Sequence, residues 1–304
     1  MTLTDRIVAA AYSIGWAIVR FVPEKVASFA FRMIADVMWR RQGKSVKRLE
    51  SNLNRVTGRE GASLRELSRQ GLRSYMRYWM EIFRLPSMDP VDIHARTRAI
   101  DDHHIFGNLD AGRGVVIALP HMGNWDAGGV WMVQCGHPFT TVMERLKPES
   151  LFEKFVAFRT AIGMEVLPLT AQGGGTAHAF GTLAQRARAG KLVCLPADRD
   201  LTDSGIEVDF FGARTRMAAG PALLAVQTGA ALVPVTLWFD GPDWGLDVHP
   251  EVPVPAEGTR KEKVAALTQG MAAAFEKGIT EHPDDWHMLQ RLWLDDLEPR
   301  EPRP

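Results

Sequence analysis

The sequence predicts an α/β fold with a mostly parallel central sheet flanked by helices and preceded by amphipathic helices. Three observations predict it. Short apolar runs of strand length recur through the chain: "VVIAL" (115–119), "FTTVM" (139–143), "MEVLPL" (164–169), "KLVCL" (191–195) and "ALVPVTLW" (231–238). Helical stretches separate them: "WDAGGVWMVQ", "ESLFEKFVAFRTAI", "TAHAFGTLAQRARA" and "GPALLAVQTG". Such alternation builds an open sheet covered on both faces. Third, 304 residues with 46% hydrophobic and 24% charged content are enough for a large globular core.

At the N-terminus, thirteen uncharged residues lie between Arg6 and Arg20, fewer than the ~20 of a spanning helix. Ile7, Ala11, Ile14, Ile18 and Phe21 fall on one helical side, with Arg6, Ser13 and Arg20 on another. A second helix starts after Pro23 and runs through "EKVASFAFRMIADVMWRR". Lys25, Arg32, Asp36 and Arg40 trace a polar stripe on it, leaving Val26, Phe29, Met33 and Val37 for another face. Residues 40–59 then hold seven basic residues and one acid, Glu50. Apolar helices beside a basic cluster fit a peripheral contact with an anionic membrane, each basic side chain contributing roughly 1 kcal/mol near the surface. The same residues also suit helices packed on a main domain with their charges solvated. The expected organisation is a membrane-contacting segment (1–60), an α/β domain (61–297) and a flexible tail (298–304). From Ser63, "SLRE" reads as a capping box opening a helix with the stripe Leu64, Leu67, Leu72, Tyr75, Trp79 and Phe83, ended by "RLPSMDP".

Formal net charge is zero, which argues against a nucleic-acid binder. Residues 1–60 carry eleven Lys/Arg against five Asp/Glu, and residues 240–304 seven against fourteen, giving a basic and an acidic end. Cys135 and Cys194 both lie in buried-looking stretches without metal-site spacing, and so few thiols suit a reducing compartment. No small-residue cleavage site follows the first apolar stretch, which argues against secretion. The glycines of "QGGGTAHAFG" (172–181) lack dinucleotide spacing, and no phosphate loop occurs, so no nucleotide cofactor is indicated. The elbow G-x-S-x-G is also missing, which removes the simplest route to an acyl-enzyme. No HExxH occurs, and His103 and His104 are neighbours on an expected loop, so no metal is indicated.

"HMGNWD" (121–126) directly follows the first strand, where open sheets place their ligands. His121 in the turn and Asp126 in the first helical turn suit a general base held by a carboxylate, which fixes the imidazole tautomer. The spacing equally suits Asp126 as a partner of helix N-terminal amides and His121 as a polar turn residue.

An ordered set of motifs accompanies this one: Glu144–Arg145 after the second strand, "FRTAIG" with Arg159, "PADRD" (196–200), "FFG" (210–212), "AAGP" (218–221) and "EHPDDWHMLQRLW" (281–293). Together these resemble the bacterial lipid A biosynthesis family of H-x4-D/E acyltransferases, over residues 20–295, with a glycerolipid acyltransferase-like fold. The likeness is strongest to its actinobacterial branch of phosphatidylinositol mannoside acyltransferases. Gln290 and Arg291 stand where the lipid A branch carries His-Arg-Arg.

The resemblance implies a peripheral enzyme on the cytoplasmic face of the plasma membrane. It would move a palmitoyl group from acyl-CoA to a mannose 6-hydroxyl of phosphatidylinositol mannosides, with no other cofactor and no acyl-enzyme. His121 and Asp126 would be catalytic, with Glu144, Arg159, Asp198 and His282 around the sugar, Asp198 either positioning the nucleophile or supporting His121. Residue chemistry alone leaves other roles open: an ion pair of Arg159 with the aspartates of "ADRD", pairing of Glu144 with Arg145 or Lys147, and His282 as a helix cap. Backbone amides around Gly123 and Asn124 are the expected oxyanion donors, and Lys147, Arg145 or the basic end would meet CoA phosphates. Acylation of lipid A precursor or a lysophospholipid, or an inactive lipid-binding protein, are the competing readings.

Overall fold

The computed structural model describes residues 15, 18–145, 149–169, 175–200 and 205–297. Helices α1 (Glu24–Arg41), α2 (Lys44–Thr57), α3 (Gly61–Arg84) and α4 (Pro90–Ala95) come first, then β1 (Thr97–Ile100) and α5 (His103–Asp110). The α/β alternation follows: β2 (Val115–Leu119), α6 (Trp125–Gln134), β3 (Phe139–Glu144), α7 (Glu149–Ala161), β4 (Glu165–Leu169), α8 (Gly175–Arg188) and β5 (Leu192–Pro196). The hairpin β6 (Ile206–Phe210) and β7 (Ala213–Met217), α9 (Gly220–Thr228), β8 (Ala231–Asp240), β9 (Asp243–Val248) and α10 (Arg260–Glu281) complete the order.

Among the described residues seven strands form one sheet in the order β1-β9-β8-β2-β5-β3-β4. Neighbours from β8 to β4 pair in parallel, and only β8 and β9 are antiparallel. β2, at the middle, is buried along its whole length, which is why it reads as an unbroken apolar run rather than an alternating one. Its residues divide between two cores. Val116 and Ala118 face Leu183 of α8, Leu224 of α9 and Phe275 of α10, whereas Val115, Ile117 and Leu119 face Ile105 of α5 and Trp131 and Met132 of α6. The sheet is thus covered on both sides, as the alternation predicts.

The five strands and four helices expected between residues 115 and 240 coincide with the structure to within two residues at each end, but the β6–β7 hairpin in the same stretch was not expected. Other points differ. The sheet extends past residue 238 through a turn at Gly241 (φ 60°) and Pro242, with glycine first as a two-residue hairpin demands. α3 starts at Gly61 behind an extended Glu60 and has no side-chain cap, so Ser63 lies inside the first turn. The reciprocal capping pair is instead Thr259 with Glu262, on α10. His103 and His104 open a helix rather than lie in a loop. Cys194 is buried as expected, but Cys135 is only half-buried.

α1 keeps Lys25, Arg32 and Arg40 of its expected polar stripe exposed, but Asp36 departs from it. Asp36 does not share a solvated stripe; it is buried, with two Arg forks, Arg69 and Arg73, each donating to both its oxygens at 2.7–3.0 Å. These hydrogen bonds outweigh the cost of burial and hold its carboxyl far below the ordinary range. Ala27 and Ala35 share that inner side, while Val26, Phe29, Met33 and Val37 face outward, Phe29 with 62% of its surface exposed. No described helix is long and apolar enough to cross a membrane. Most of the amphipathic stretch expected over Ile7–Phe21 lies outside the described residues, as do Lys147, Gly173 and Gly174.

Candidate active site

The two central strands deliver the site. Leu119 at the end of β2 is the register partner of Pro196 at the end of β5, and the Ala197 amide donates to the Leu119 carbonyl at 2.9 Å. Two residues beyond each partner stand His121 and Asp198. Their side chains meet, His121 Nδ1 lying 2.5 Å from Asp198 Oδ1. The other carboxylate oxygen accepts the His121 backbone N–H at 3.0 Å and the Trp286 indole N–H at 3.1 Å. Asp198 is fully buried, yet the His121 side chain keeps 32% of its surface exposed. Burial alone would raise the Asp198 carboxyl; the charge and ring hydrogen bond of His121, its backbone N–H and the Trp286 indole outweigh that and hold it below its ordinary value. The result is an imidazole whose Nδ1–H is fixed on a buried carboxylate, with its other face toward solvent.

Asp126 is not the carboxylate that holds His121. It is buried in the first turn of α6 and takes a fork from Arg159, Nε to Oδ1 at 2.8 Å and Nη2 to Oδ2 at 3.1 Å. The Arg159 guanidinium also lies over the Trp125 ring at 4.2 Å. Helical geometry carries Asp126 toward α7 rather than back over the turn, so His121 finds its acid on the neighbouring strand. Arg159 does pair with an aspartate, though not with one from "ADRD". Glu144 ends β3 on the same rim of the sheet and is exposed, while Arg145 pairs with Glu149. His282 closes α10 and stacks on Trp238 of β8 at 4.7 Å with the ring planes parallel. In strand order the rim therefore runs Trp238 on β8 with His282 of the α10 end stacked on it, His121 after β2, Asp198 after β5 and Glu144 on β3.

The turn after β2 is built for this. Gly123 has φ 56°, and a Cβ there would lie 2.8 Å from the Leu237 carbonyl carbon and oxygen. Only glycine fits. Its amide donates to the Asp285 carbonyl at 2.9 Å, so it is not available as the expected oxyanion donor. Asn124 caps α6 by accepting from the Ala127 amide at 3.1 Å, and its own side chain is anchored on Glu81 at 2.6 Å. The Trp125 and Asp126 amides lie between those positions, in the first turn, where a helix leaves its N–H groups without intrahelical partners.

Between α6 and the sheet lies an apolar cavity lined near the rim by Leu119, Trp125 and Leu237 and at its far end by Phe139 and Leu192. Gly128 and Gly129 keep it open: a Cβ on the first would lie 2.8 Å from Leu237 Cδ2, and on the second it would run into Met164 Cε. Among the described residues no three His, Cys, Asp or Glu side chains gather as a metal site.

Trp286 and His287 belong to the site although neither was singled out from the sequence. Trp286 grips Asp198, and His287 donates its backbone N–H to the His121 carbonyl at 2.8 Å. The signal available was the density of polar and aromatic residues in "HPDDWH", which reads equally as a helix end.

Comparison with known proteins agrees with this architecture. The family model for bacterial lipid A biosynthesis acyltransferases matches residues 1–295. A phosphatidylinositol mannoside acyltransferase of Mycolicibacterium smegmatis is 48% identical over 304 residues, covering 98% of this chain and 97% of its own. A protein of the same description from Mycobacterium tuberculosis is 47% identical over 295 residues, covering 94% and 89%. The chain belongs to the bacterial lipid A biosynthesis acyltransferase family, and its reaction class is acyl transfer.

Proposed function

We propose that the protein transfers a palmitoyl group from acyl-CoA to the 6-hydroxyl of a mannose in phosphatidylinositol mannosides, at the cytoplasmic face of the plasma membrane. The observation that carries the chemistry is the His121–Asp198 contact, 2.5 Å at Nδ1 with Asp198 buried. With Nδ1–H fixed there, Nε2 carries the lone pair that takes the proton of the mannose hydroxyl as its oxygen attacks the thioester carbonyl. Asp198 stabilises the imidazolium that forms. The tetrahedral oxyanion meets the Trp125 and Asp126 amides at the start of α6, where the helix dipole favours negative charge. Collapse expels the CoA thiolate, which recovers the proton from His121. No protein side chain is acylated, and no cofactor besides the acyl-CoA substrate takes part.

The apolar cavity behind α6 holds only about 40 Å³ of open space, so it marks the start of the acyl path, and a full chain enters only as the side chains lining it part. At about 0.8 kcal/mol per buried CH₂, a sixteen-carbon chain contributes on the order of 10 kcal/mol of gross binding, ample to organise the reacting groups. The names of the two mycobacterial relatives support the mannoside acceptor. Glu144 and His282, on the same rim as the dyad, are the proposed sugar contacts, whereas Arg159 acts through Asp126 to hold the α6 start. The outward apolar face of α1, with Lys25, Arg32, Arg40 and Arg41 on the same helix, supports contact with an anionic membrane surface.

Radiolabelled palmitoyl-CoA offered with purified phosphatidylinositol mannosides, lipid A precursor and lysophospholipid tests the acceptor by product. Label in the mannosides is expected. Label in either other lipid alone, or in none, would refute the assignment.

A further inference from the structure

Three consecutive residues, Asp285, Trp286 and His287, each hold part of the dyad or its turn. The Asp285 carbonyl accepts the Gly123 amide at 2.9 Å, the Trp286 indole donates to Asp198 at 3.1 Å, and the His287 amide donates to the His121 carbonyl at 2.8 Å. Their side chains converge on one hydroxyl from α3. Ser74 Oγ lies 2.5 Å from Asp285 Oδ1 and 2.8 Å from His287 Nε2, while Asp285 Oδ2 accepts the Phe239 amide at 2.9 Å. The His287 ring packs between Tyr75 and Tyr78, at 5.6 and 5.7 Å.

We propose that His287 is a positioning residue for His121, and that Asp285 sets which His287 ring nitrogen carries hydrogen, acting through the single hydroxyl proton of Ser74. This rests on His121 being the general base. The proton count allows two arrangements. With Asp285 ionised, its Oδ1 accepts the Ser74 O–H, so Ser74 Oγ must accept from His287 Nε2–H, and Nδ1 holds the lone pair. With Asp285 protonated, its O–H donates to Ser74, Ser74 donates to His287 Nε2, and the hydrogen of the neutral ring moves to Nδ1. The change takes up one proton from solvent and reverses the ring dipole beside His121 without charging the ring.

The surroundings suit this exchange. Burial, then Asp284, push the Asp285 carboxyl up to about 7, against hydrogen bonds from Ser74 and Phe239 and the charge of Arg77 on α3. Burial, then His121, push His287 down to about 3, against Asp198, so the ring stays neutral. Ser74 and Asp285 also line an open cavity between α1 and α3, shared with Glu24, Lys25, Arg32, Arg73 and Glu81, through which a proton can arrive.

The test is ¹⁵N NMR of the full chain labelled at histidine, with the His287 ring assigned by its loss in His287→Gln. In the native protein the ring should pass from Nδ1–H to Nε2–H as pH rises through about 7. Asp285→Asn should lock it as Nδ1–H, because the Phe239 amide keeps the Asn carbonyl and leaves its NH₂ to donate to Ser74. Ser74→Ala should make the tautomer independent of pH and remove the same inflection from the kcat profile while KM for acyl-CoA stays within twofold; Ser74→Thr should restore both. A single native tautomer from pH 5.5 to 8.5, or a folded Ser74→Ala protein with unchanged titration and rate profile, would overturn the proposal. His121→Ala separates the two readings: retained transfer there refutes the base assignment while leaving the His287 tautomer measurement intact.

Discussion

Replacing Asp198 by Asn keeps the size of the side chain and changes one proton. Oδ2 accepts two N–H groups, from the His121 backbone and the Trp286 indole, so the Asn carbonyl must take that place. The NH₂ then faces His121 Nδ1, now 2.5 Å from an acceptor. A donor meeting a donor is untenable, so the ring shifts its hydrogen to Nε2, the atom that must accept from the sugar. The geometry survives and the base does not. Loss in kcat on the order of 10⁴-fold is expected, the scale found when the orienting carboxylate of a catalytic triad becomes an amide. That corresponds to about 5 kcal/mol of transition-state stabilisation.

Asp126→Asn is the control that discriminates. It leaves Arg159 buried beside a neutral group, and breaking a buried pair typically costs about 3–5 kcal/mol of stability. Its effect should appear in thermal unfolding, with the pH dependence of the remaining activity unchanged. The assay is initial-rate transfer of labelled palmitate to phosphatidylinositol mannosides, with circular dichroism confirming fold. Asp198→Asn within tenfold of native, together with a folded but inactive Asp126→Asn, would refute the reasoning.

Gly123→Ala should fold less stably and transfer poorly, since a left-handed alanine costs about 1–2 kcal/mol before its clash with Leu237; native melting and rate would contradict this. Gly129→Ala should shift preference toward shorter acyl-CoA chains, because its Cβ runs into Met164 and lies 3.1 Å from Phe139 Cζ; competition between palmitoyl-CoA and shorter donors reads it out. Val26→Asp with Phe29→Asp removes about 3 to 6 kcal/mol of apolar insertion, so partition onto anionic vesicles should fall more than a hundredfold while the soluble fold persists. Glu165 is held down to about 2, chiefly by Arg186, so its contribution to stability is complete above pH 4.5 and lost as pH falls toward 2; Glu165→Gln should flatten that part of an acid-unfolding curve.

How far the sequence was legible depended on whether the signal was local. The strand at 115–119 and helix at 125–134 announce themselves by length, burial pattern and flanking turns, and both bounds coincide with the structure. β9 was missed because its "DWGLDV" alternates weakly and its partner lies across a turn. His121 was legible because a histidine directly after a central strand has few structural reasons to be there. Its partner was not, because strand order, which sets β5 beside β2, is a long-range property that no spacing records. Asp126 is five residues away in sequence but committed to Arg159, whereas Asp198, seventy-seven residues on, is at 2.5 Å. The burial of Asp36 was illegible for a related reason: it looks solvent-facing until two arginines from another helix enclose it.

The central claim is that His121 activates the acceptor hydroxyl directly, without an intermediate on the protein. Intact-mass spectrometry of the enzyme, quenched after incubation with palmitoyl-CoA alone and during turnover with phosphatidylinositol mannosides, tests it most directly. The unmodified protein mass is expected at every time point. A stoichiometric palmitoyl adduct that forms without acceptor and disappears at the turnover rate when acceptor is added would contradict it.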